Sequence, residues 1–207
     1  MKIELKKRYG IYLAVIGVIV LIVLRFFAFN SGDHMNHGSD KNGQGQMGME
    51  MEENNSSNLN ANEYMFAEMM ISHHQQAVEM SNLALTTSKN AKVLDLAQRI
   101  KDAQSVEIVQ MQSWLGKDGS NQEMNNQMGH DMGGIMSEAD MAILKSSTGA
   151  TFDKLFLEGM IAHHEGALSM VTMINETSNQ EVDTFGLNVI KVQTAEIAEM
   201  KQILASL

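Results

Sequence analysis

Apolar residues recur at helical spacing in four long runs of this chain, with polar breaks between them. Over residues 61–88, Met65, Met69, Ala77, Leu83 and Leu85 follow a helical period, and Val93, Leu94, Ala97, Ile100, Ile108, Met111 and Leu115 continue it over residues 91–115. Gly116 then supplies a helix stop. Ser137 with Asp140 predicts an N-cap and a short helix over 138–146. Two more long helices are predicted over 151–177 and 181–206, with a capping-box pattern, Ser178 to Glu181, between them.

The second pair of helices repeats the first. "MISHHQQAVEM" (Met70 to Met80) returns as "MIAHHEGALSM" (Met160 to Met170). At an offset of 90, Phe66, Glu68, Met70, Ile71, His73, His74, Ala77 and Met80 match Phe156, Glu158, Met160, Ile161, His163, His164, Ala167 and Met170. At an offset of 89, Gln104, Glu107, Ile108, Met111 and Leu115 match Gln193, Glu196, Ile197, Met200 and Leu204. The duplicated unit is a helical hairpin that cannot bury its apolar stripe alone. Two such hairpins predict an all-α four-helix bundle over 61–207, with hairpins at 61–116 and 137–207 and a linker at 117–136.

The first 60 residues follow neither helical period nor repeat. "KKRYGIYLAVIGVIVLIVLRFFAF" is long and apolar enough, at about 21 residues, to span a hydrocarbon core of roughly 30 Å. Residues 1–30 are therefore expected to be a cytoplasmic basic flank and an N-terminal transmembrane helix, oriented by the positive-inside rule. A cleaved signal peptide is the alternative, although "FFAFNSGDH" offers no A-x-A-like cleavage site. Either way the rest of the chain is expected outside the cytoplasm, the bundle being tethered to the cell membrane by a Gly-, Asn- and Ser-rich segment, residues 31–60.

Composition narrows the chemistry. The chain has 19 Met, no Cys and no Pro, so thiolate zinc sites, disulfides and Cys nucleophiles are excluded. Five of its 15 basic residues and one of its 25 acidic residues precede residue 26, leaving 10 against 24 beyond it. That balance excludes nucleic acid as an expected partner, because phosphate binding needs a basic face.

The repeated phrase brings unlike ligands together. On a helix Met70 lies beside His73 and His74, His73 lies near Ala77, and Met80 follows one turn on; Met160, His163, His164, Ala167 and Met170 repeat this. Small Ala77 and Ala167 leave room for a facing helix. Adjacent histidines are 100° apart round the axis, so one of each pair is expected inward and the other on the flank. A di-iron centre would need Glu-x-x-His, and here the preceding Glu68 and Glu158 are five residues from the first histidine. Imidazole with thioether is instead a ligand set for copper, sulfur selecting Cu(I). Candidate ligands are His73, His74, His163, His164, Met70, Met80, Met160 and Met170, joined by Met111 and Met200 from the partner helices. The linker adds Met128, His130 and Met132, in "MGHDM", where core packing does not explain a methionine.

At these residues the chain resembles the domain of unknown function 305 family. The resemblance rests on "FAEMMISHHQQAVEM", "AQRIKDAQSVEIVQMQSWL", "FDKLFLEGMIAHHEGALSM" and "VQTAEIAEMKQIL" and covers residues 61–207. The second hairpin departs from the first in lacking a match to Trp114. The resemblance implies a ferritin-like fold and an exported protein, some members binding copper in copper tolerance. The expectation is a membrane-anchored, extracytoplasmic copper-binding protein, not an enzyme, that sequesters or chaperones Cu(I), with Ag(I) or Cu(II) as further ions and a copper-transfer protein as partner. A bundle-centred metal oxidase using Glu107 and Glu196, and a metal-free interaction module, are the other readings.

Overall fold

The computed structural model of the chain describes residues 59–119 and 133–207. The expected membrane anchor, the tether and most of the linker, with Met128, His130 and Met132, lie outside the described residues. Among the described residues no helix is long and apolar enough to cross a membrane.

The described chain is all-helical: α1 (Ala61–Thr87), α2 (Ala91–Gly119), α3 (Glu138–Ser146), α4 (Gly149–Val171), a single 3₁₀ turn (Thr172–Ile174) and α5 (Gln180–Leu204). Local signals set most of these bounds. Asn60 caps α1 through its side chain and forms a capping box with Glu63. Ser137 caps α3, accepting from the Asp140 amide at 3.1 Å. The backbone leaves the helical region at Gly116, where φ is +70°, a conformation glycine adopts without strain. The capping box expected at Ser178 is not formed. Asn179 is the cap of α5 instead, because the Glu181 carboxylate is drawn away to accept from Trp114 Nε1 at 2.8 Å.

Each long helix buries a stripe whose spacing alternates between three and four residues. On α1 it runs Glu63, Phe66, Met70, His73, Ala77, Met80 and Ala84; on α4 it runs Asp153, Phe156, Met160, His163, Ala167, Met170 and Ile174. This spacing packs helices with a small left-handed crossing, as in bundles. The sequence reading placed Met65 on the stripe, but it is 43% exposed. His73 and His163 hold stripe positions that apolar side chains would ordinarily take.

α1 pairs with α2 and α4 with α5, and the two hairpins meet along α1 and α4. The core forms two apolar clusters. One joins the first half of α1 to the end of α4, with Phe66, Met70, Ala167 and Met170; the other joins the end of α1 to the start of α4, with Ala77, Met80, Phe156 and Met160. The two first helices are therefore antiparallel, and the histidines lie between the clusters.

Two hydrogen bonds, themselves related by the duplication, lock this arrangement. Ser88, in the turn of the first hairpin, donates to buried Asp153 at the start of α4 at 2.5 Å. Thr177, in the turn of the second, donates to buried Glu63 at the start of α1. Each hairpin's turn is thus tied to the N-terminal part of the other hairpin's first long helix. Ser88→Ala should strand the Asp153 carboxylate and cost about 1–3 kcal/mol in urea unfolding. The exposed Ser113→Ala should change stability by less than about 0.5 kcal/mol. Equal stability of the two variants would show that the tie contributes nothing.

Candidate metal centre

The four histidines are all fully buried. His73 and His163 face each other across the α1–α4 contact, with ring centroids 3.7 Å apart and planes tilted by 42°. His74 and His164 turn the other way, each toward the second helix of its own hairpin. The expectation that one histidine of each pair would sit on an open flank is corrected here: that flank is covered by α2 or α5.

The hydrogen bonds fix the tautomer of every ring. His163 Nε2 donates to the His73 carbonyl at 2.8 Å, and His73 Nε2 donates to the Gly133 carbonyl at 3.3 Å. His74 Nε2 donates to the Glu107 carboxylate and His164 Nε2 to the Glu196 carboxylate, both at 2.8 Å. A carbonyl or carboxylate oxygen only accepts, so the proton resides on Nε2 in each case. In the neutral ring Nδ1 then carries a bare lone pair, and all four Nδ1 atoms are buried without a hydrogen-bond partner. A metal-binding histidine is ordinarily held in this way, one nitrogen donating to a carboxylate or carbonyl and the other left for the ion.

Burial keeps the facing pair neutral. Desolvation, then the neighbouring His74, lowers the His73 pKa from 6.5 to about 4. Desolvation and the facing His73 hold His163 well below 6.5. Both lone pairs are therefore free at neutral pH.

Thioethers lie on both sides of the histidines. Met70, Met111 and Met170 belong to one apolar cluster, and Met80, Met160 and Met200 to the other. These two triads correspond residue by residue under the duplication, and each of the six is buried. The donor set is uncharged nitrogen and sulfur, which fits copper(I) or silver(I) and not a hard divalent ion. Among the described residues no three His, Asp or Glu side chains gather round one point, so a carboxylate-rich cage is not formed there.

Glu107 and Glu196, expected from the sequence only as the carboxylates of a metal oxidase, are the hydrogen-bond partners of the outer imidazoles. Gln104 and Gln193, one turn away, are buried with unpartnered amide atoms. Gly133, from the linker, had no signal.

Fold and centre together define an all-helical bundle built by duplication round a buried His–Met cluster. The chain belongs to the family described as Domain of unknown function (DUF305), whose model matches residues 63–204, in agreement with the resemblance carried by the repeated segments. It is similar to a DUF305 fragment from Deinococcus radiodurans, at 29% identity and a TM-score of 0.64, covering 72% of this chain and 98% of that one. It is similar to a DUF305 protein from Streptomyces coelicolor, at 28% identity and a TM-score of 0.62, covering 70% and 93%. It is also similar to CopM in its Cu(II)-bound form, at 30% identity and a TM-score of 0.60, covering 70% and 96%. CopM is also solved in Cu(I)-bound and Ag-bound forms. No curated protein matches the chain.

The low pKa of His73 makes the metal-free fold acid-sensitive. Between pH 6.5 and about 4 the unfolded chain takes up a proton that the native ring refuses, so stability falls as pH falls through that window. At about 1.4 kcal/mol per pH unit, His73 alone accounts for a loss of about 3 kcal/mol. Urea midpoints from pH 8 to pH 4 should be flat above pH 7 and drop below 6.5, and His73→Leu should flatten that drop. An equally steep drop in the variant would remove His73 as the cause.

Proposed function

We propose that this protein binds soft copper, chiefly Cu(I), and Ag(I) by the same chemistry, in the centre formed by His73, His74, His163 and His164 with the flanking methionines. The ion is cargo, not a resident catalyst. The observation that carries this reading is the set of four buried Nδ1 lone pairs, each with its ring fixed from behind by a donated Nε2 proton. The two triads of buried thioethers support it, as does the likeness to CopM, solved with Cu(I), Cu(II) and silver.

The role we assign is sequestration or handing-on of the ion in metal tolerance, without turnover. A ferritin-like metal oxidase would need imidazole and carboxylate on one ion. Glu107 and Glu196 are instead engaged at Nε2, behind the rings, which favours binding over catalysis. The apolar stretch near the N-terminus supports a membrane-anchored ectodomain outside the cytoplasm. There soft ligands other than thiolates are of use, and Met128, His130 and Met132 of the linker would serve as capture ligands.

An anaerobic Cu(I) titration of the full chain against a chromogenic chelator tests the reading. Wild type should withdraw copper, and the near-isosteric pair His73→Leu with His163→Leu should lose part of that capacity. Saturating ion at 100 times its Kd should stabilise wild type by about 2.7 kcal/mol, raising its Tm. If wild type leaves the chelator its copper and the Tm stays put, the centre is packing and not a binding site. Separately, Glu107→Gln with Glu196→Gln should weaken copper affinity by about 10–100-fold, as the loss of a supporting partner does at metal sites. Unchanged affinity in that pair would place His74 and His164 outside the ligand set.

A further inference from the structure

The described end of the linker, Gly133–Met136, departs from the symmetry of the duplication. On α1 the positions of the repeat hold Met69 and Gln76; on α4 the same positions hold Gly159 and Gly166. The two glycines are one heptad apart and flank His163. The linker occupies the space they leave. A Cβ on Gly166 would lie 1.7 Å from the Gly133 carbonyl oxygen, a backbone atom with no freedom to yield. A Cβ on Gly159 would lie 2.8 Å from the Met136 sulfur.

Met136 is held there by Gln76. The Gln76 amide donates to the Met136 carbonyl at 2.9 Å and accepts from its N–H at 2.7 Å. The Met136 side chain is thereby directed into the Gly159 notch, where it meets the Met80 methyl, 3.2 Å from the same Cβ point. Met136 is half-buried and packs on the cluster that contains Met80, Met160 and Met200. Three residues earlier, the Gly133 carbonyl accepts from His73. A short run of linker thus touches a thioether cluster at one end and a facing imidazole at the other.

On α1 the position of Gly159 is held by Met69, which packs, partly buried, on the cluster that contains Met70, Met111 and Met170, as does Met173. Thioether sulfur is a soft, uncharged ligand on a flexible stem, suited to pass a monovalent soft ion between neighbours.

We propose that Met136 is a further soft-metal ligand: the fourth thioether of the Met80–Met160–Met200 half, taking Cu(I) or Ag(I) from solvent into that half. The inference rests on the copper-binding reading above. It adds to that half a thioether from outside the duplicated helices.

Two substitutions in the full chain test it, with Ag(I) titration calorimetry and stopped-flow Cu(I) uptake from a chromogenic chelator. Met136→Leu keeps volume and removes sulfur, a swap that cores tolerate. Gly159→Ala keeps the sulfur and pushes it out of the notch; the flexible tip of Met136 must move, and the Met80 methyl must give by a few tenths of an ångström. Both should slow uptake and weaken one class of bound ion by about tenfold, the low end of what losing a supporting partner does to a metal site. The metal-free melting temperature of Met136→Leu should stay at the wild-type value. Met65→Leu, which removes an exposed thioether from α1, should behave as wild type. If Met136→Leu and Gly159→Ala load and bind as wild type does, Met136 is not a ligand, while the copper-binding reading stands. An effect of Met65→Leu equal to that of Met136→Leu would also overturn the assignment. Failure of wild type to take up either ion would overturn the copper-binding reading itself.

Discussion

Four imidazole rings buried where α1 meets α4 constrain everything around them. A buried polar atom without a partner costs about 1–3 kcal/mol. Four bare Nδ1 atoms together rival the whole net stability of a typical domain, about 5–15 kcal/mol. The surrounding structure offsets that cost in two ways. Each Nε2 proton is satisfied by a carbonyl or a carboxylate, so only one nitrogen per ring is orphaned. Above and below the rings, tightly packed clusters of Phe, Leu, Ile and Met supply the apolar burial that holds the helices together, each fully buried side chain contributing roughly 1.5–3 kcal/mol. A packing role alone would be served better by leucine at those four positions.

The duplication explains why the centre has two halves, and the linker explains why they are not identical. The stripe positions, the His–Glu hydrogen bonds, the methionine triads and the turn-to-helix ties all repeat. The facing rings do not. His163 donates to a helix carbonyl of α1, whereas His73 donates to the linker at Gly133. The reason is steric. Once α4 carries glycine at 159 and 166, the linker can lie against its backbone, and it takes the hydrogen bond that a symmetric partner would have accepted. The glycines look like dispensable helix-weakeners in the sequence, yet they are the places where the backbone of another segment has to fit.

Much of this was legible from the residues. The helix bounds at Gly116 and Ser137 followed from stop and capping chemistry that is local; the Asn60 cap is equally local and was not read. The hairpin duplication followed from the two offsets, and the family from the segments that carry them. The inward turn of both histidines in each pair was not legible. A single helix viewed alone has a flank, and only the partner helix, with Glu107 or Glu196 placed opposite, turns that flank into interior. The cap of α5 moved by one residue for a related reason, since Glu181 had a tertiary partner in Trp114 that no local pattern contains. The Ser88–Asp153 tie joins residues 65 apart in sequence, and short-range periodicity carries no information about such a pair.

The character of the ligands bears on which ion the centre suits. A charge moved from water into a poorly polarisable interior meets a penalty that grows steeply with its magnitude, and neutral ligands do little to cancel it. Hard divalent ions therefore need carboxylates in direct contact, as oxygen-rich sites provide. Here the two carboxylates nearest the rings are spent on Nε2 protons, one atom layer behind the lone pairs. They orient the outer rings and supply negative potential without occupying a coordination position. Neutral nitrogen and sulfur in front, with a carboxylate behind each outer ring, favour a soft monovalent ion over a divalent one on charge as well as on softness. Because burial lowers the His73 pKa to about 4, the lone pair it offers does not depend on a neutral medium.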